Sequence, residues 1–543
     1  MASPSSDSRA LYEELLKSSR ELGLLGSCAA VLGWDEQTYM PPGASSLRGD
    51  QMALLAGIQH DRGTDPRLGE LLENLHDSSL AAELDSIESA NVRQLRRDYA
   101  RRIKLPRALV EDLARTTSLA QQEWVGAKHA SDFARFRPWL DRVLALKRQE
   151  SACLLECLED RRDGLGNEQG SEGAATIYDP LLDEYEQGAR TARLRVVFGD
   201  LRESLSPFVK QIAEAGGMRN PGESVLRRRF PIDRQRVLAE SAAAALGFDF
   251  QRGRLDVTEH PFCTGIGSGD VRVTTKYDER RFDDAFFSVL HEVGHGLYEQ
   301  GLPTESWGTP AGESVSLGVH ESQSRLWENF VGRSRSFWSY WFPVAHRTFH
   351  DALHDVTLEQ FLGEINRVEP SLIRIQADEV TYNLHVLIRF DLELALLSGD
   401  LATADLPEAW NAKYAETLGV TPANDAEGCL QDVHWAAGLI GYFPTYTLGN
   451  IYAAQLYARA TADLPGLEAG FARGESADLL AWLRDKIHRQ GRRYAPTDLI
   501  ERAVGGPIDA APLMAHLRRK YGELYGLSSS PAPGDGPGAS QPR

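Results

Sequence analysis

Apolar residues recur every three or four positions over long stretches of this chain, with charged residues filling the opposite faces. That period predicts helices over residues 11–22, 68–80, 82–102, 107–128 and 133–159. The last of these gives way to a polar, glycine-rich stretch, 163–173, that reads as a surface loop. Helical patterning resumes from Pro180 and again over 234–246. Strand signals are few. The best is 271–277, β-branched and preceded by Gly265, Gly267 and Gly269, which suit a hairpin or tight loop. From Phe282 the helical period returns almost to the end. From Ser528 onward Ser, Pro and Gly dominate, and such a tail cannot bury enough apolar surface to fold. No repeat and no linker interrupts the chain between Leu11 and Tyr525. The expected fold is mainly α: one large helical body with a small β element. The expected boundaries are a disordered N-terminus over 1–9, a folded unit over 10–526 and a disordered tail over 527–543.

Composition narrows the function. The chain has 543 residues, enough by length alone for about three or four domains. With 59 Lys and Arg against 78 Asp and Glu its net charge is −19, which disfavours nucleic acid because phosphate contacts need a basic surface. The densest basic spot, Arg227, Arg228 and Arg229, reads as a solvated turn. The least polar stretch, 435–449, falls short of the ~20 apolar residues of a membrane span. The first residues carry neither the basic region nor the apolar core of a signal peptide. Five scattered cysteines form no disulfide framework and fit a reducing cytoplasm. Cys153 and Cys157 stand one helical turn apart without nearby His or further Cys, and read as packing residues.

The chemistry is concentrated in His291-Glu292-Val293-Gly294-His295. On a helix, H-E-x-x-H sets two imidazoles one turn apart on one face, able to share a zinc ion, with the Glu placed to take a proton from bound water. Asp283 or Asp284 is expected to cap this helix, and Gly301 and Pro303 to stop it. Phe286, Leu290, Val293 and Leu297 form one apolar stripe. His291 and His295 project from nearly the opposite side, near Asp284, Ser288 and Tyr298, and Asp284 is a candidate acceptor for a ligand's second N–H. A catalytic zinc takes three protein ligands and leaves a position for water. His320 and Glu321, in a second helical pattern, both qualify as the third.

Other motifs make the sequence recognisable. His260-Pro261-Phe262 is followed by Asp270-Val271-Arg272-Val273-Thr274, then by the H-E-x-x-H run and His320-Glu321-Ser322-Gln323. Next come Ile373-Arg374-Ile375-Gln376-Ala377-Asp378 and Gly428-Cys429-Leu430-Gln431-Asp432-Val433-His434-Trp435. In these motifs, in order, the chain resembles the carboxypeptidase Taq family of metallocarboxypeptidases over about residues 10 to 525. The runs at Trp34–Thr38, Tyr178–Asp183 and Gly441–Tyr446 also look familial, whereas 163–173 and the tail look extra.

The resemblance implies an elongated helical fold with a deep substrate groove, similar to neurolysin and angiotensin-converting enzyme, and a homodimer. It implies Glu321 as third ligand beside His291 and His295, one zinc per chain with cobalt able to substitute, and broad removal of single C-terminal residues from peptides. Glu292 is then the proton carrier. His434, Tyr442 and Tyr446 are candidate donors to the oxyanion, by likeness to the His and Tyr donors of the angiotensin-converting enzyme group. Arg374 is the first candidate for the substrate's free C-terminal carboxylate, against a structural pair with Asp378. Arg272 either lines the groove or pairs with Asp270, and His260 is a candidate contact for substrate backbone. The alternatives are an oligoendopeptidase or dipeptidyl carboxypeptidase on the same metal core, or a non-catalytic peptide-binding protein.

Overall fold

In a computed structural model, residues 6–159, 175–215 and 224–527 are described; the glycine-rich stretch 163–173 and the tail from Ser528 fall outside them. The N-terminal part runs through α1 (Ser6–Thr38), α2 (Ser45–Gly63), α3 (Pro66–His76) and α4 (Ile87–Lys104). Helix α1 starts at Ser6, so part of the N-terminus expected to be disordered is helical. It also runs well past the expected end at residue 22. Its Gly23 backs directly onto the Gly308 backbone, where an added Cβ would sit 3.1 Å from Cα, so tertiary contact extends a helix that glycine would weaken. Caps decide the next boundaries. The Asp65 side chain accepts from the Arg67 N–H at the start of α3, and the Ser86 hydroxyl accepts from the Ser89 N–H, so α4 begins at Ile87 rather than Ala82. Tyr12, Leu15, Leu68, Leu71, Leu72, Leu75, Leu80 and Val92 make a small core of their own.

The main core extends from Ala120 to Tyr521 as one cluster. Around it lie α5 (Arg107–Ala130), α6 (Phe133–Glu159), α7 (Asp179–Tyr185), α8 (Thr191–Glu214) and α9 (Ile232–Leu246). A three-stranded sheet follows, with β1 (Gly253–Val257), β2 (Cys263–Gly267) and β3 (Asp270–Thr275) in the order β1-β3-β2. Strand β3 pairs antiparallel with β2 through the expected hairpin, where Gly269 takes φ +91°. It pairs in parallel with β1, a strand without a clear sequence signal.

The rest is helical: α10 (Phe282–Gly301), α11 (Leu317–Arg325), a π-helical turn over Leu326–Gly332, α12 (Arg335–Thr348), α13 (His350–Leu353), α14 (Leu358–Ile365), α15 (Tyr382–Ser398) and α16 (Leu406–Leu418). After an irregular segment, 419–443, come α17 (Pro444–Asp463), α18 (Leu467–Phe471), α19 (Ala477–Lys486), α20 (Pro496–Val504) and α21 (Ala511–Tyr525). That irregular segment is unusual because its middle is buried, with Leu430, Ala436, Ile440 and Phe443 all nearly inaccessible. Buried loops are rare because their polar groups need partners. Among the described residues no helix is long and apolar enough to cross a membrane, and all five cysteines are free thiols. Arg227, Arg228 and Arg229 pair with Asp283, Asp355 and Glu279 respectively, which leaves no open basic patch there.

Candidate active site

Helix α10 sinks the predicted stripe, Phe286, Leu290, Val293 and Leu297, into the core; burying each such side chain is worth about 1.5–3 kcal/mol. The helix ends at Gly301, as expected, but neither expected cap operates. Arg281 holds the N-cap position without a side-chain cap. Asp283 is taken by Arg227 at 2.9 Å and Asp284 by Arg281, so Asp284 does not orient a histidine. Tyr298 is also spent elsewhere: fully buried, its hydroxyl accepts from the Val315 N–H.

On the opposite face His291, His295 and Glu321 converge, with ligand-capable atoms all within 4.8 Å of one another. Glu321 Oε2 lies 3.7 Å from His291 Nε2 and 3.5 Å from His295 Nε2. Each of the three has its second polar atom held from behind. His291 Nδ1 meets Glu328 Oε2 at 2.9 Å, and His295 Nδ1 meets His320 Nδ1 at 2.5 Å. Glu321 Oε1 accepts from Arg325 Nε at 2.7 Å. His320 is steadied in turn by Glu299 Oε1 at 2.8 Å. Between His320 and Glu321, it is Glu321 whose Oε2, with only a 3.3 Å contact from the Ser324 hydroxyl behind it, faces the imidazole pair. Burial opposes ionisation of Glu321, but Arg325 and the imidazoles outweigh it and hold the carboxyl well below its ordinary range.

Glycines let these elements meet. A Cβ on Gly294 would lie 2.6 Å from Ser324 Cα, so α11 crosses α10 backbone to backbone. One on Gly449 would lie 2.6 Å from Glu321 Cγ, which brings α17 against the same carboxylate. The π-helical turn after α11 carries Glu328 to His291, and such turns recur at functional sites. Glu292 is 7% exposed, and burial pushes its carboxyl up to about 7.

The buried segment 419–443 brings a second cluster. His434 Nε2 lies 3.1 Å from the Tyr446 hydroxyl, and the Tyr442 ring packs 5.4 Å from both His434 and Tyr446. Burial pushes His434 down to about 4 and Tyr442 up to about 12, the latter helped by the charge of Glu321. Arg374 is buried and donates through Nε and Nη2 to Asp432 Oδ1, and through Nη1 to the Tyr382 hydroxyl. Asp432 also receives Arg389 Nε at 2.6 Å, so one carboxylate serves two guanidinium groups. Asp378, the expected structural partner of Arg374, instead accepts from Val380, Thr381 and Glu369.

Arg272 pairs with Asp270 at 2.8 Å and stacks 4.1 Å over the Trp34 ring, against α1. His260 is exposed, and its neighbour Phe262 is tied to β3 through the Thr274 hydroxyl. Among the described residues, no hydrogen bond, ion pair or ring contact joins either residue to His291, His295 or Glu321. Beside that cluster, starting at Glu299, a cavity of about 670 Å³ opens between α1 and α2 on one side and β2 and Trp307 on the other.

The profile described as carboxypeptidase Taq (M32) metallopeptidase matches residues 14–521. The chain belongs to that family. It is 47% identical to thermostable carboxypeptidase 1 of Thermus thermophilus over 517 residues, covering 95% of this chain and 99% of the relative. It is 37% identical to carboxypeptidase 1 of Bacillus subtilis, over 91% of this chain and 95% of that protein. The crystal structure of the M32 carboxypeptidase from Deinococcus radiodurans R1 superposes with a TM-score of 0.89 at 41% identity, covering 95% of this chain and 100% of that one. The protein is thus a metallocarboxypeptidase, a peptide hydrolase whose family uses a metal cofactor.

Several residues of this M32 enzyme carry no motif letter that sequence reading weighed. Glu299 extends the four-residue row His291, His295, Glu299 by one step, and Arg325 and Glu328 continue the face begun by Glu321. That periodicity was the available signal for all three. Asp432 stood inside a quoted motif, but its two arginine partners come from distant segments.

Proposed function

We propose that His291, His295 and Glu321 hold zinc, and that the enzyme releases C-terminal residues one at a time from peptides of varied sequence. The observation that carries this reading is the spacing of the atoms that the three side chains turn toward one another. Neighbouring ligands around a tetrahedral ion with bonds of about 2.0–2.2 Å stand about 3.4 Å apart, close to the 3.5 and 3.7 Å between Glu321 and the two imidazoles. Two nitrogens and one carboxylate oxygen also form a ligand set typical of catalytic zinc. Bound zinc supplies a Lewis acid that polarises the scissile carbonyl and makes water a nucleophile at neutral pH. Glu292 accepts the proton that the attacking water releases and delivers it to the leaving amine. His434 and Tyr446, with Tyr442 beside them, donate to the oxyanion; loss of one such donor costs about 3–4 kcal/mol.

The substrate's terminal carboxylate is met by Arg374. Asp432 neutralises only one of its two arginines, so the Arg374–Asp432–Arg389 group keeps a positive charge that an incoming carboxylate balances. Two experiments test the proposal. Glu292→Gln should bind zinc as the wild type does and lose hydrolysis almost entirely; a variant that cleaves normally sinks the mechanism. Peptides amidated at the C-terminus should resist cleavage. Equal cleavage of amides and free acids would point to an oligoendopeptidase and remove Arg374 from substrate binding.

A further inference from the structure

Glu393, on α15, is 1% exposed and forms no ion pair among the described residues. Arg389, one turn earlier, is committed to Asp432, Gln431, the Tyr414 hydroxyl and the His385 carbonyl. Glu393 instead accepts three hydrogen bonds from neutral donors. Trp435 Nε1–H reaches Oε1 at 2.9 Å, while the Gly441 N–H and the Tyr178 hydroxyl reach Oε2 at 3.2 and 2.5 Å. Two of these donors have a particular place in the chain. Trp435 follows His434 directly, and Gly441 precedes Tyr442 directly. The carboxylate therefore grips the irregular segment at both ends of the stretch that presents His434 and Tyr442, just before Tyr446 opens onto α17. Gly441 has no slack at its grip point, for it takes φ +91° and an added Cβ would lie 2.9 Å from the Leu181 backbone.

We infer that Glu393 is a positioning residue that holds His434, Tyr442 and Tyr446 in register with the metal pocket, acting through Trp435 and Gly441 without touching substrate. This rests on the donor role proposed above for His434 and Tyr446. An acid, not an amide, is needed at this position. All three partners donate, and the two loop partners are an indole and a backbone N–H, which cannot reverse. A glutamine puts an NH₂ against one of them in either orientation and leaves that buried donor without an acceptor. Tyr178 differs, since its hydroxyl can turn to accept and it belongs to neither end of the gripped stretch.

The experiment compares full-length, metal-loaded Glu393→Gln, Trp435→Phe and Tyr178→Phe proteins, with Tyr446→Phe as the reference for a lost donor. Glu393→Gln and Trp435→Phe should lower kcat roughly 10- to 100-fold, with KM within about threefold and metal content unchanged. Tyr178→Phe should lower Tm and keep kcat. If Glu393→Gln does not fold, Trp435→Phe carries the test alone. A kcat within about twofold of wild type in the folded variants, or an equal fall in Tyr178→Phe, overturns the inference, because Glu393 then serves stability only. If Tyr446→Phe also leaves kcat unchanged, the donor assignment fails with it. A fall in Tyr446→Phe alone preserves the reading of the site and removes Glu393 from it.

Discussion

Substituting Gly449 by alanine places a methyl group where the metal pocket has no room for one. The new carbon would stand 2.6 Å from Glu321 Cγ, 2.7 Å from its Cβ and 3.2 Å from its carbonyl carbon. Non-bonded carbons settle at about 3.5–4.0 Å, so roughly 1 Å of movement is forced. Glu321 cannot swing aside cheaply. Arg325 holds Oε1 at 2.7 Å, and the Ser324 hydroxyl lies 3.3 Å from Oε2. Overpacking of this kind costs about 1–3 kcal/mol, against roughly 0.5–1 kcal/mol regained by replacing glycine inside a helix. Global stability should therefore fall by about 0–2.5 kcal/mol, and the displaced carboxylate also weakens the metal site. Ligand distances tolerate only about 0.2 Å, so affinity for the proposed zinc should weaken by about 10- to 100-fold, at about 1.4 kcal/mol per factor of ten. Competition against a chromophoric chelator measures this directly. Gly199→Ala on α8 is the control: its Cβ meets nothing within 4 Å, so it should gain about 0.5–1 kcal/mol and leave affinity alone. A Gly449→Ala protein that binds zinc as tightly as wild type would refute the close-contact explanation of the pocket.

Other consequences can be measured separately. Burial pushes the Glu186 carboxyl up to about 7, despite hydrogen bonds from the Gly318 N–H and the Tyr452 hydroxyl. The native state then binds its proton more tightly than the unfolded chain. Relative to Glu186→Gln, the wild type should lose about 3 kcal/mol as pH rises from ~4.5 to ~7 and change no further above that. Urea unfolding of both proteins across this window tests the sign, and a pH-independent difference would contradict it. Glu379 is held well below its ordinary range because Lys520 and His516 outweigh its burial, with the Tyr521 hydroxyl also donating. Lys520→Met should destabilise the fold by about 3–5 kcal/mol in denaturant titration at pH 7, since it strands a buried charge. A loss below about 1 kcal/mol would mean that α21 does not depend on this pair.

The parts of the molecule legible in the sequence are those governed by local rules. The stripe Phe286, Leu290, Val293 and Leu297 announces α10 through periodicity alone, and the spacing of His291 and His295 follows from one helical turn. Gly301 ends the helix as its position suggests. The failures share a cause. Asp283 and Asp284 have the chemistry of caps, but Arg227 and Arg281 claim them, and nothing within the helix reports those partners. The local candidate partner of Arg374 is Asp378, four positions away, whereas its partner in the fold, Asp432, is 58 positions distant. Strand β1 carries no alternating pattern, since it is specified by its parallel neighbour. The brace behind each metal-facing atom is intermediate. Glu299, Arg325 and Glu328 sit at helical intervals from motif residues, but only the fold shows which of many such carboxylates and guanidinium groups turn inward.

The small core of Tyr12, Leu15, Leu68, Leu71, Leu72, Leu75, Leu80 and Val92 shares no residue with the main one. Outside it, α1 and the residue after it meet the body at Ser19 and Gly23 on Gly308, at Trp34 under Arg272, at Gln37 under the Thr258 hydroxyl and at Tyr39 on Asp256, with α1 also packed along β2. By contrast, α4 is bound firmly to the body, with Arg97 and Arg101 on Asp183 and Asp98 on Arg492. Resistance to unfolding is therefore unevenly distributed. The amides of α1 to α3, which reach the body largely through α4 and that small core, should exchange with solvent hydrogen through partial openings, well before those of α10 or α17. The cavity beside Glu299 is lined on one side by α1 and α2, so that side of its wall belongs to the less firmly held part of the molecule.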